Sequence, residues 1–63
     1  MQAEIEDHGS LFLFRPLDME AEDWCDENLS DDRQSFGAAI VIEHRYISEI
    51  VVAFQEAGGI IQA

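Results

Sequence analysis

The chain has 63 residues, 48% of them apolar, which is enough for one domain with a core and too few for two. Fourteen Asp and Glu stand against three Arg and no Lys, a formal net charge of −11. That balance excludes direct binding to nucleic acid, whose phosphates need a basic surface, and to anionic membranes.

A single cysteine, Cys25, rules out an internal disulfide, and its distance from His8 and His44 in sequence gives no zinc pattern. A fold of this size then rests on packing alone, with a stability of about 3–5 kcal/mol. Residues 1–7 are acidic where an export signal needs a basic start and an apolar run. No apolar run approaches the roughly 20 residues of a membrane span. The expectation is a cytoplasmic protein with no membrane contact.

In chain order, residues 1–9 are polar and read as a flexible N-terminal arm, with the α/β domain occupying 10–63. Residues 10–14 (Ser-Leu-Phe-Leu-Phe) suit a buried first strand, ended by Arg15-Pro16. Asp18 is a good N-cap for a helix to about residue 29 or 30, with Glu20 and Glu22 in the favourable first turn. Ala21, Trp24, Cys25 and Leu29 draw its apolar stripe. Residues 30–37 read as a loop, with Phe36 tucked back onto the core. Residues 38–42 (Ala-Ala-Ile-Val-Ile) read as a central strand, apolar on both faces. Ile47, Ile50, Val51 and Phe54 then repeat at helical spacing, so a second helix runs from about 44–46 to 57. Gly58 is placed for its left-handed C-cap, and residues 60–62 form a last short strand.

The expected architecture is therefore a single small α/β domain, β-α-β-α-β, with a three-stranded sheet and two helices packed on one face. Helical crossovers favour parallel strands, though the loop at 30–37 leaves an antiparallel first pair open. The uncovered sheet face invites the arm or a second copy, so the chain is expected to be a monomer or a weak homodimer.

The chemistry concentrates in residues 18–32, which hold eight of the fourteen carboxylates. On a helix, Glu20, Asp23 and Glu27 lie along one side and Glu22 and Asp26 form a neighbouring row, with Asp31 and Asp32 in the loop beyond. Successive members of a row stand about 4.5–6 Å apart along the axis, comparable to phosphates along a DNA strand. No Lys or Arg lies within the helix to offset their repulsion. These seven residues are the candidate contacts for a basic partner.

Other chemistry is poorly supported. Asp18-x-Glu20-x-Glu22-Asp23 lacks the glycine and the terminal glutamate of a calcium loop, so no metal site is expected. Cys25 beside Trp24 on the apolar stripe reads as a buried thiol. His44 and Ser48 lack a third group to orient them. No glycine-rich phosphate loop is present, and neither a cofactor nor an enzymatic activity is expected. Arg45 is placed to pair with Glu49 one turn on, while Tyr46 and His44 could flank the acidic surface.

Gly9-x-Leu11-x-Leu13, Pro16-Leu17, Trp24, Gly37-x-Ala39, Glu43-x-Arg45-Tyr46-Ile47 and Ala57-Gly58 together resemble a group of small prokaryotic proteins, a likeness that bears on fold. The size and acidity resemble phage anti-CRISPR proteins, specifically type I-C inhibitors. That resemblance implies a DNA mimic that blocks target-DNA or PAM recognition by a Cas subunit, with Glu20, Glu22, Asp23, Asp26, Glu27, Asp31 and Asp32 meeting its basic surface. The alternatives are an antitoxin or adaptor neutralising a basic toxin or nuclease, and a homodimeric structural domain.

Overall fold

The computed structural model describes residues 1–29 and 34–62. Seven elements follow in chain order: β1 (Gln2–Asp7), β2 (Leu11–Pro16), α1 (Met19–Asn28), β3 (Ser35–Phe36), β4 (Ala39–Glu43), α2 (Ile47–Glu56) and β5 (Ile60–Gln62). They build one five-stranded mixed sheet in the order β3-β4-β2-β1-β5. This overturns the three-stranded β-α-β-α-β expectation in two places.

The segment expected to be a flexible arm contains β1, an interior strand between β2 and β5. Gly9, at φ +83°, turns the chain between β1 and β2, and the Gly9 amide donates to Asp7 Oδ1 at 2.8 Å. Ala3 and Ile5 alternate with Glu4 and Glu6, so β1 carries a short period of two. Ala3 is fully buried. The second addition is β3, which folds back on β4 through Gly37 (φ +62°) and pairs Phe36 with Ala39. The helix α1 therefore leads into a hairpin, and β4 runs antiparallel to β2. Only β5 lies parallel to its neighbour, β1.

Register sorts the side chains onto two faces. Ala3 and Ile5 on β1, Phe14 on β2, Ile40 and Ile42 on β4, and Ile61 on β5 share one face. Both helices pack there, since Ala21 and Cys25 of α1 and Phe54 of α2 join these residues in one core. Its centre is aromatic. The Phe54 ring meets Phe14 and Trp24 edge-on, with centroids 5.2 and 5.1 Å apart, geometry that adds to simple area burial. Phe14 and Phe54 are fully buried. Cys25, 1% exposed, sits in this core.

At the end of α2, Gly58 adopts φ +95°. Its amide donates to Gln55 O at 3.0 Å and the Gly59 amide donates to Phe54 O at 2.8 Å. This pair of bonds satisfies the last carbonyls and turns the chain into β5. The opposite sheet face carries Leu11, Leu13 and Arg15, with Glu4, Glu6, Val41 and Phe36, and no described element packs over it. Phe36, expected on the core, is instead 70% exposed on that face.

Candidate partner-binding surface

The acidic helix begins at Asp18, in extended backbone. Asp18 Oδ1 accepts from the Ala21 amide at 2.9 Å, the N-cap bond that satisfies one orphan donor of the first turn. Asp18 Oδ2 accepts from the Gln2 amide at 3.0 Å and lies 3.6 Å from the Met1 ammonium. One carboxylate thus caps α1 and ties it to β1. The Ala21 amide, with the ammonium and the Gln2 amide, holds the Asp18 carboxyl below its ordinary pKa. At the far end, the Leu29 amide donates to Cys25 O and Asn28 Nδ2 donates to Trp24 O, both at 2.9 Å.

Burial of Ala21 and Cys25 fixes which side of α1 faces the sheet. Glu20, Glu22, Asp23, Asp26 and Glu27 are all exposed on the remaining side. At about 100° per residue they fan over roughly 160° of the helix surface. They therefore cover the whole outer half of the cylinder. On one flank Glu22, Asp23 and Asp26 line a groove of about 290 Å³ against Ser35, Ala38 and Ala39 of the β3–β4 hairpin. On the other flank lie Glu20 and Glu27. From residue 20 to 27 the axis rises about 10.5 Å, one carboxylate per ~2.6 Å. One strand of B-DNA presents one phosphate per ~3.4 Å and the duplex one per ~1.7 Å, so the helix's charge density falls between the two.

Arg15 and Arg45 are engaged elsewhere. Arg15 Nη1 lies 3.2 Å from Glu4 Oε2 and Nη2 lies 3.5 Å from Glu6 Oε2, across the β1–β2 ladder. His8, 3.4 Å from Glu6 Oε2, and then Arg15 hold the Glu6 carboxyl below its ordinary pKa. Arg45 pairs with Glu43 at 3.2 Å and lies over the Tyr46 ring at 5.0 Å. It does so in place of the pair with Glu49 expected from helical spacing, because Arg45 precedes the first turn of α2. Among the described residues, Glu20, Glu22, Asp23 and Glu27 meet no cationic partner. Asp31, Asp32 and Arg33 lie outside the described residues.

His44 stacks on Phe12, with centroids 6.1 Å apart, beside the start of α2. Among the described residues, no group of three His, Cys, Asp or Glu is placed to hold a metal ion. No helix among them is long and apolar enough to cross a membrane. The sequence led to the expectation of an uncovered sheet face but not of Phe36 on it, or of the apolar cleft there. Its signal was the apolar residue at every position of 11–14, which marks both faces of a strand as apolar. Comparison with protein families, curated proteins and solved structures finds no match.

Proposed function

We propose that this chain is a stoichiometric protein ligand whose α1 carboxylates occupy a cationic, nucleic-acid-binding groove on another protein. In its specific form the reading is a DNA-mimic anti-CRISPR that blocks target-DNA or PAM recognition by a basic Cas subunit of a type I complex. One observation carries it: α1 is coated with exposed carboxylates while Arg15 and Arg45 are spent on Glu4, Glu6 and Glu43. Glu20, Glu22, Asp23 and Glu27 meet no cation among the described residues, and like charges left so on a helix destabilise it. Asp26 and Glu27 also fall in the last turn, where the helix dipole disfavours negative charge. A marginal fold carrying that burden presents those groups for use.

The 160° fan sets the shape of the partner. A flat surface reaches one row of carboxylates, whereas a concave groove built around a nucleic-acid backbone reaches both flanks. Association is steered by charge and is therefore fast and salt-sensitive. The test is the affinity for a purified type I-C Cas complex across a salt series, for wild type and for the Glu20→Lys, Asp23→Lys, Glu27→Lys triple variant. The wild type should bind with a steep loss of affinity on adding salt, and the variant should fail to bind while keeping its helical circular dichroism. Equal binding by a folded triple variant would remove the reading.

A further inference from the structure

The open face of the sheet divides into two halves. Across β1 and β5 it is polar apart from the exposed Ile60: Gln62 Nε2 donates to Gln2 Oε1 at 2.7 Å, and Arg15 spans Glu4 and Glu6. Across β2, β3 and β4 it is apolar. Leu11, Leu13, Val41 and Phe36 line, with His8, a cleft of about 220 Å³. Leu13 and Val41 stand directly opposite each other in the ladder. A cleft below the roughly 300–1,000 Å³ of small-molecule sites fits one bulky side chain better than a cofactor. An exposed phenylalanine above such a cleft has the character of an interface anchor.

Charge decides the occupant. A second copy would bring −11 against −11, and nucleic acid or an anionic membrane is repelled for the same reason. A cationic protein segment is attracted. At the rim, Glu6 of β1 stands opposite Leu13 and Glu43 of β4 stands opposite Leu11. Both are offset by Arg15 and Arg45, so the attraction comes from the chain's net charge and from the carboxylates across the hairpin, while the apolar cleft supplies the contact. The same hairpin also borders the acidic groove, since Ser35 and Ala38 face Glu22, Asp23 and Asp26. The β3–β4 hairpin is a lip between carboxylates on one side and apolar surface on the other.

We propose that Phe36, with Leu11 and Val41 above the buried Leu13, anchors a leucine-sized side chain of a Lys/Arg-rich partner segment that grips this lip. The inference rests on the cationic-partner reading above and adds where that partner is held. Two synthetic 12-residue peptides of equal positive charge test it, one with Leu-x-Leu and one with Ser-x-Ser at the centre. Each is titrated into the full chain at ~0.15 M salt and followed by amide chemical shifts. The leucine peptide should bind about tenfold more tightly and move the amides of Leu11, Leu13, Phe36 and Val41. Phe36→Ser, a change at an exposed position that leaves the core intact, should erase that preference. Equal affinity of the two peptides with shifts on α1 overturns the anchor and leaves the acidic helix standing. A preference that survives Phe36→Ser also overturns it. Binding of the leucine peptide at the cleft with no shift on α1 from either peptide keeps the anchor and counts against the acidic helix. Binding of neither peptide overturns both.

Discussion

An alanine at position 59 would place its Cβ against the Phe54 ring and 2.7 Å from the Phe54 carbonyl oxygen. Relief is hard to find. The ring is fully buried and touches Phe14 and Trp24 edge-on, so it has nowhere to move without opening the aromatic centre. The carbonyl is equally fixed, because it accepts from the Gly59 amide to close α2. Overpacking of a tight core costs about 1–3 kcal/mol, and a site blocked by both ring and backbone belongs at the upper end, about 2–3. A domain of this size holds about 3–5 kcal/mol in total. With a urea dependence of about 1 kcal/mol per molar for so small a chain, the midpoint should fall by about 2–3 M. Equilibrium urea unfolding followed by Trp24 fluorescence reads this directly. Gly58→Ala is the control: no atom lies within 4 Å of its Cβ, and its cost is the left-handed backbone alone, about 1 kcal/mol. A Gly59→Ala midpoint within ~0.5 M of wild type, or no lower than that of Gly58→Ala, would refute the reasoning.

Three further outcomes follow from the charges. Asp18 and Glu6 have folded-state pKa values below their ordinary ones, so each adds stability above the unfolded pKa, about 4, that is lost as pH falls through the folded value. Asp18→Asn, which keeps an N-cap acceptor but removes the charge, should therefore flatten acid unfolding below about pH 4, measured by fluorescence against pH, and unchanged curvature would contradict the stabilising role of the ionised carboxylate. With a net charge of −11, screening should outweigh the loss of the Arg15 pairs, and the urea midpoint should rise between ~0.02 and ~0.5 M NaCl. A falling midpoint would mean that the ion pairs dominate. Arg15→Gln leaves Glu4 and Glu6 facing each other on β1 and should lower the midpoint at low salt, with the difference shrinking at high salt.

Elements with strong local signals were legible in the sequence. Asp18 announced the start of α1 by its chemistry, and Gly58 announced the end of α2 by the backbone it permits. Ile47, Ile50 and Phe54 drew the second helix by period. What escaped was structure stabilised by partners rather than by its own composition. In β1 only Ala3 and Ile5 mark the buried face, and the acidic residues between them resemble a solvated arm. Its burial comes from β2 and β5, one of them more than fifty residues away in sequence. The strand β3 is two residues long, too short to show a period, and exists because Gly37 folds it onto Ala39. Missing it made the connection from β2 to β4 look like a parallel crossover. For the site, Glu20, Glu22, Asp23, Asp26 and Glu27 were readable as one exposed set because Ala21 and Cys25 define the opposite side. The cleft around Phe36 was not, since it assembles from three strands.

Displacement of DNA tests the central claim most directly. A fluorescently labelled target duplex is bound to a type I-C Cas complex, and the chain is titrated in while anisotropy is recorded. Release of the duplex at near-stoichiometric chain, abolished by Glu20→Lys, Asp23→Lys and Glu27→Lys together, is the predicted result. A duplex that stays bound under a large excess of the chain, or that the triple variant releases equally well, would contradict it.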